Sequence, residues 1–91
     1  MSFMFRGLRN LSSLDISNFD TNSVTNMSSM FVSCYSLMTL KFNKANFLNV
    51  TTYNNMFGGV SNDINIFLKD DTQVNWLKDK FTNLTNVVVE V

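Results

Sequence analysis

Residues 11–40 read LSSLDISNFDTNSVTNMSSMFVSCYSLMTL, and this stretch decides the fold. Sliding the chain against itself by 26 residues lays copies of it over one another. Met1, Ser2, Met4, Phe5, Leu11, Leu14, Val24, Thr25, Met30 and Phe31 each meet the same residue type 26 positions on, ten identities in 31 comparisons. Unrelated sequence of this composition would give roughly two, and self-similarity at one fixed period marks a solenoid or array. Each copy is one unit that buries its apolar side against the next.

Within a copy, the patterning changes period. Leu14 and Ile16 alternate with Ser13, Asp15 and Ser17, the period-two signature of a short half-buried strand. Turn chemistry follows at Ser17, Asn18, Asp20, Thr21 and Asn22, with Phe19 as an inward anchor. Val24, Met27, Met30, Phe31 and Cys34 then recur at spacings of three and four, which predicts a short amphipathic helical return capped near Asn22 or Ser23. Leu37–Val60 repeats the plan, with Leu40 and Phe42 in the strand and Val50, Tyr53, Met56 and Phe57 in the return. Gly58-Gly59 loosens the chain where the first copy has Val32-Ser33. Residues 1–10 match the second half of a copy, so the chain is read as beginning inside a rung.

A third strand is expected over Ile64–Leu68, after which the period stops. Lys69, Asp70, Asp71 and Thr72 lead into a helix whose start Asp71 or Thr72 would satisfy, with Val74, Leu77, Lys78 and Phe81 at helical spacing. Val87–Val91 is a β-branched run suited to a last strand. Residues 69–91 are therefore read as the atypical end that a repeat stack needs over its last layer, with Trp76 part of that cover. The expected inward set is Leu11, Leu14, Ile16, Phe19, Val24, Met27, Met30, Phe31, Cys34, Leu37, Leu40, Phe42, Val50, Met56, Phe57, Ile66 and Leu68.

Composition removes several functions. Seven basic and seven acidic residues cancel, so attraction to a phosphate backbone lacks its main driving force and no nucleic-acid partner is expected. No apolar run approaches the roughly 20 residues of a membrane-spanning helix. The first ten residues have no apolar h-region or cleavage site, so they are not a secretory signal. One cysteine and no histidine leave no intrachain disulfide and no zinc or haem set. No cofactor is expected. Cys34, on the apolar stripe, reads as a small buried hydrophobe, and no histidine stands ready to activate it. Asp70-Asp71 lacks further oxygen ligands at calcium-loop spacing. The sequons at Asn10, Asn26, Asn49 and Asn83 arise easily among fourteen asparagines and are not read as glycosylation. Acid–base pairs, nucleophile–base pairs and glycine-rich phosphate loops are missing, so no enzyme is expected.

Residues 11–37 resemble the repeat of BspA-like leucine-rich-repeat surface proteins, found in mycoplasma lipoproteins and in surface proteins of gut and oral anaerobes. The likeness rests on LDISNFDT, VTNM and MFVSCYSL in this chain. Residues 64–91 also look like the end of such an array. The second copy departs from the pattern: Lys44-Ala45-Asn46-Phe47 replaces the NFDT turn and Val60 the cysteine. The resemblance implies an extracellular or cell-surface protein that adheres or binds protein through stacked repeats.

The fold expected is thus an α/β repeat: a short right-handed leucine-rich-repeat solenoid of about 26 residues per rung, each rung one strand with a helical or irregular return, and a helix–strand cap. Its first functional expectation is protein binding through the outward strand positions Ser13, Asp15, Ser17, Thr39, Lys41, Asn43, Asn65, Phe67 and Lys69. Asp15 and Lys41 fall in one column and are expected to pair across adjacent strands. The second expectation is a structural one: an end cap that docks on other repeats, or on its own copy, through an open N-terminal edge.

Overall fold

The computed structural model describes residues 1–90; Val91, included in the expected last strand, lies outside the described residues. Four short strands form: β1 (Ser13–Asp15) and β2 (Thr39–Lys41), where apolar and polar side chains alternate, and β3 (Asn65–Leu68) and β4 (Asn86–Val89), each an apolar run after an asparagine. They form one parallel sheet in the order β1-β2-β3-β4. Ser13 pairs with Thr39 and Thr39 with Asn65, so the 26-residue sequence period is also the strand register. The last step is shorter. Asn65 pairs with Asn86, a separation of 21 residues, bridged by helix α1 (Asp71–Lys80).

One face of this sheet carries the core. Leu14, Leu40, Ile66 and Val87 are register partners, and the last three are buried. Ile16 and Phe42 continue inward past the strand ends. Parallel pairing forces each chain segment to travel back before the next strand, so a second line of backbone contacts runs along the returns. The N–H groups of Met27, Ser29, Phe31 and Ser33 donate to the carbonyls of Thr52, Asn54, Met56 and Gly58. Those of Phe3, Phe5 and Gly7 donate to Ser28, Met30 and Val32 in the same way.

That ladder explains why the predicted helix over residues 24–34 does not form. A helix would turn those N–H groups onto carbonyls four residues back, withdrawing them from the neighbouring copy. The chain instead makes overlapping turns, with Met30, Val32 and Cys34 donating to carbonyls three residues earlier. Left-handed φ falls at Phe3, Ser29 and Asn55, and again at Gly7, Ser33 and Gly59. Both sets recur every 26 residues. Inward side chains at spacings of three and four therefore come from stacked turns, and the expected cap at Asn22 or Ser23 has no helix to serve.

The buried core contains Ile16, Met27, Met30, Phe31, Cys34, Leu37, Leu40, Phe42, Val50, Met56, Phe57, Ile66 and Leu68 from the expected set. Leu11 is a correction: it is 36% exposed, because among the described residues β1 is paired on one side only. For the same reason Leu14, Phe19 and Val24 are only partly covered, although they pack on the core. Phe5, Phe31 and Phe57 stack in one column with centroids 5.7 and 5.3 Å apart. Phe81 closes it edge-on at 5.1 Å from Phe57.

Helix α1 is capped by Asp70, one residue before the expected position, where the carboxylate accepts the Gln73 N–H at 3.0 Å. Val74 and Leu77 are buried, and Trp76 stacks on Phe47 at 4.7 Å. Phe47 stands where the first copy has Thr21. Thr21, fully buried, uses its hydroxyl to accept the Asn46 N–H at 2.9 Å and donate to the Asn46 carbonyl at 3.1 Å. One step on, the Phe47 N–H donates to Gln73 Oε1 at 2.8 Å. The irregular second copy is the seat of the helix.

Candidate functional site

The sheet's outer face is made by two columns set by the strand register. Ser13, Thr39, Asn65 and Asn86 form one; Asp15, Lys41, Phe67 and Val88 form the other. Of the nine positions expected to bind, Ser13, Asp15, Lys41, Asn65 and Lys69 are exposed, while Ser17, Thr39, Asn43 and Phe67 are half-buried. Asn86 and Val88 join this face unforeseen. They belong to β4, where the offset changes from 26 to 21, so the period gave no pointer to them.

The expected Asp15–Lys41 ion pair does not form. The two residues are register partners, yet the pair within 4.0 Å among the described residues is Lys80–Asp79, at 2.8 Å. Asp15 is occupied locally. Its Oδ1 accepts from the Ser17 hydroxyl at 2.6 Å and the Ser17 N–H at 3.0 Å, a closed turn that needs no long side chain to be ordered. These two bonds hold the Asp15 carboxyl below the ordinary carboxylate range, with the Lys41 charge a smaller contribution.

Beyond the strand ends lie two open hollows. Asn43, Leu68, Lys69 and Glu90 line one of about 410 Å3. Asn18, Asp20, Asn22, Lys44 and Lys69 line another of about 310 Å3. In the second, Asn22 is already engaged, accepting from Asn46 Nδ2 and Asn49 Nδ2. The asparagines the composition placed in turns thus also tie one copy to the next.

Among the described residues no three His, Cys, Asp or Glu side chains gather as a metal site, and no helix is long and apolar enough to cross a membrane. Cys34 is buried, its thiol donating to the Phe5 carbonyl at 2.9 Å.

At the β1 end the surface is different. Phe3 is 53% and Met4 51% exposed, with Leu8 and Leu11 beside them in sequence also exposed. Phe5, end member of the aromatic column, is half-covered.

Matching strands in parallel register and cross-copy turn ladders define a repeat-type α/β domain with a parallel sheet. The chain belongs to the family described as Mycoplasma protein of unknown function, DUF285, whose family model matches residues 1–89. No curated protein and no solved structure matches it.

Proposed function

We propose that this chain is a non-enzymatic end unit of a stacked-repeat bacterial surface protein, a short right-handed leucine-rich-repeat solenoid of the BspA-like kind. The observation that carries this reading is the difference between its two core ends. Val74, Leu77, Trp76 and Phe81 of the cap cover the core after the second copy. At the other end Phe3, Met4, Leu8 and Leu11 face solvent beside a strand paired on one side only. Exposed apolar side chains next to an unpaired strand edge fit a docking partner of the same construction. By the period of the ladder, a preceding rung would donate to the carbonyls of Ser2, Met4 and Arg6, the counterparts of Ser28, Met30 and Val32.

The test is to place a second copy of residues 1–26 ahead of Met1, which keeps register because Met1 matches Met27. Covering the half-exposed Phe5 and Met4 layer raises stability by at least about 2 kcal/mol on area grounds. Unchanged stability, with the added residues disordered by NMR, sinks the reading. Self-association through the same end is the other form it takes, visible as a concentration-dependent mass.

A second reading is protein recognition through the outer sheet face. It is favoured by Phe67 and Val88, adjacent apolar residues on an otherwise polar column with Asp15 and Lys41. With a surface-exposed, extracellular location, such a face is available to a host or neighbouring protein. Replacing Asp15, Lys41 and Phe67 together abolishes binding of an identified partner if this face is used; unaltered affinity refutes it.

A further inference from the structure

The return ladder has a direction. Its N–H groups point toward the next copy and its carbonyls toward the copy before. Phe3, Phe5 and Gly7 donate to Ser28, Met30 and Val32; Ser29, Phe31 and Ser33 donate in turn to Asn54, Met56 and Gly58. The matching donors of the second copy are the N–H groups of Asn55, Phe57 and Gly59, and among the described residues they reach no acceptor. Left-handed φ at Ser29 and Asn55, and again at Ser33 and Gly59, repeats the same backbone turn. These three N–H groups therefore point as their counterparts do, toward the cap. The cap is too short to meet them. Gln73 bonds to Phe47 across 26 residues, and Asn83 to Asn62 across 21. Between those contacts lies a hollow of about 230 Å3, lined by Asn55, Phe57, Gly58, Phe81 and Asn83. Asn55 and Asn83 are exposed, so it is open to solvent.

We propose that this hollow binds a carboxylate, held by the N–H groups of Asn55 and Phe57, with Gly59 next in the row. Bonds that all run one way align their peptide dipoles, which then add as in a helix instead of cancelling as in an ordinary sheet. The positive end of that array faces the hollow, and backbone N–H groups in such turns hold anions. A single charge suits it. No charged side chain lines the hollow, so a phosphate would lack the lysine or arginine that usually answers its charge. Phe57 and Phe81, edge-on at 5.1 Å, supply an apolar wall for the carbon that bears the carboxylate. That group belongs either to a free organic acid or to the terminus of a polypeptide. The site needs neither the open β1 end nor the outer sheet face.

The experiment titrates the full chain at constant ionic strength with propionate, N-acetyl-phenylalanine, its uncharged amide and inorganic phosphate, following backbone amide NMR signals. Saturable downfield shifts of the Asn55 and Phe57 amides are expected with both acids and not with the amide. Tighter binding of N-acetyl-phenylalanine assigns a polypeptide terminus, and equal binding assigns a free acid. Asn83→Asp weakens binding and Asn83→Lys tightens it, each by about two- to fivefold, because a charge at the rim opposes or assists the anion. Asn55→Gly keeps the left-handed turn and its N–H, so binding stays within about threefold. Absent saturation, equal shifts from the uncharged amide, phosphate binding tighter than propionate, or affinity unmoved by either Asn83 replacement each overturns the proposal. Loss of binding in Asn55→Gly does so too, by moving the contact from backbone to side chain.

Discussion

Gln73→Met is the substitution that most directly tests how the cap helix is fastened to the repeats. Gln73 lies in the first turn of α1, 6% exposed, and its Oε1 accepts the buried Phe47 N–H at 2.8 Å. Methionine keeps the length and fills the same apolar space, but its thioether is a weak acceptor. The Phe47 N–H is then stranded, and a buried donor left without a partner costs about 1–3 kcal/mol. With about 2 kcal/mol as the central figure, melting falls by about 8–16 °C for a domain of this size. Trp76, the one tryptophan, stacks on Phe47 and reports the transition by fluorescence. Hydrogen exchange supplies the local readout: the Phe47 amide loses protection while that of Phe31, bonded to Met56, keeps it. Asp70→Ala is the control. It removes the helix cap at about 1 kcal/mol yet leaves the Phe47 amide paired. A Gln73→Met protein within about 0.5 kcal/mol of the parent, with Phe47 protection intact, would refute the reasoning.

Three further outcomes follow from the same geometry. Phe31→Ala, at the centre of the aromatic column, costs about 3–5 kcal/mol and unfolds the chain in a urea titration, whereas Phe5→Ala at the half-covered end costs about 1 kcal/mol. Equal losses would contradict the open-end assignment. Ser33→Gly gains about 0.5–1 kcal/mol by relieving a left-handed serine; Gly59→Ala loses more than Gly7→Ala, because a Cβ at Gly59 meets the Tyr35 ring at 2.9 Å and one at Gly7 meets nothing. Thermal melts of the three variants settle that order. Asp15 has a lowered pKa, so its contribution is present above the ordinary carboxylate range and is lost as pH falls through its folded value. An NMR titration should show its midpoint rise more in Ser17→Ala than in Lys41→Gln, since the Ser17 bonds lead and the lysine charge follows.

The strands were legible because two independent signals agreed on them. Leu14, Leu40 and Ile66 are spaced by the repeat, and the first two are flanked on both sides by polar residues, so period and alternation name the same columns. The returns were legible in burial only. Met27, Met30, Phe31 and Cys34 do point inward, but a turn ladder and a helix leave the same apolar spacing over seven or eight residues. Serine at the left-handed positions 29 and 33 gives no glycine signal to tell them apart. Only Gly7 and Gly59, at the matching positions, carried that hint. The hollow lined by Asn43, Leu68, Lys69 and Glu90 was half visible: Asn43 and Lys69 sit in the repeat column, whereas Glu90 arrives from β4 after the offset has shortened.

The irregular second copy is where sequence and function meet. Moving from the first copy to the second exchanges Phe19 for Ala45 and Thr21 for Phe47, shifting one aromatic ring by two positions along the same turn. Taken alone, that looks like decay of a repeat. In three dimensions the ring at 47 reaches Trp76 at 4.7 Å, and Ala45 is fully buried beneath the new arrangement. Position 47 has no hydroxyl to offer the next segment as Thr21 does; instead Gln73 of the helix reaches back and accepts the Phe47 N–H. Gln73 lies 26 residues beyond Phe47, so the helix still bonds to the copy before it while ending the strand-and-turn geometry. Restoring the repeat pattern at these positions, Ala45→Phe with Phe47→Thr, should therefore improve the match to the first copy and still destabilise the protein. The overpacked ring at 45 and the unstacked Trp76 each cost about 1–3 kcal/mol, read in a denaturant titration. A variant as stable as the parent would mean that the departure is drift and that the helix needs no seat of its own.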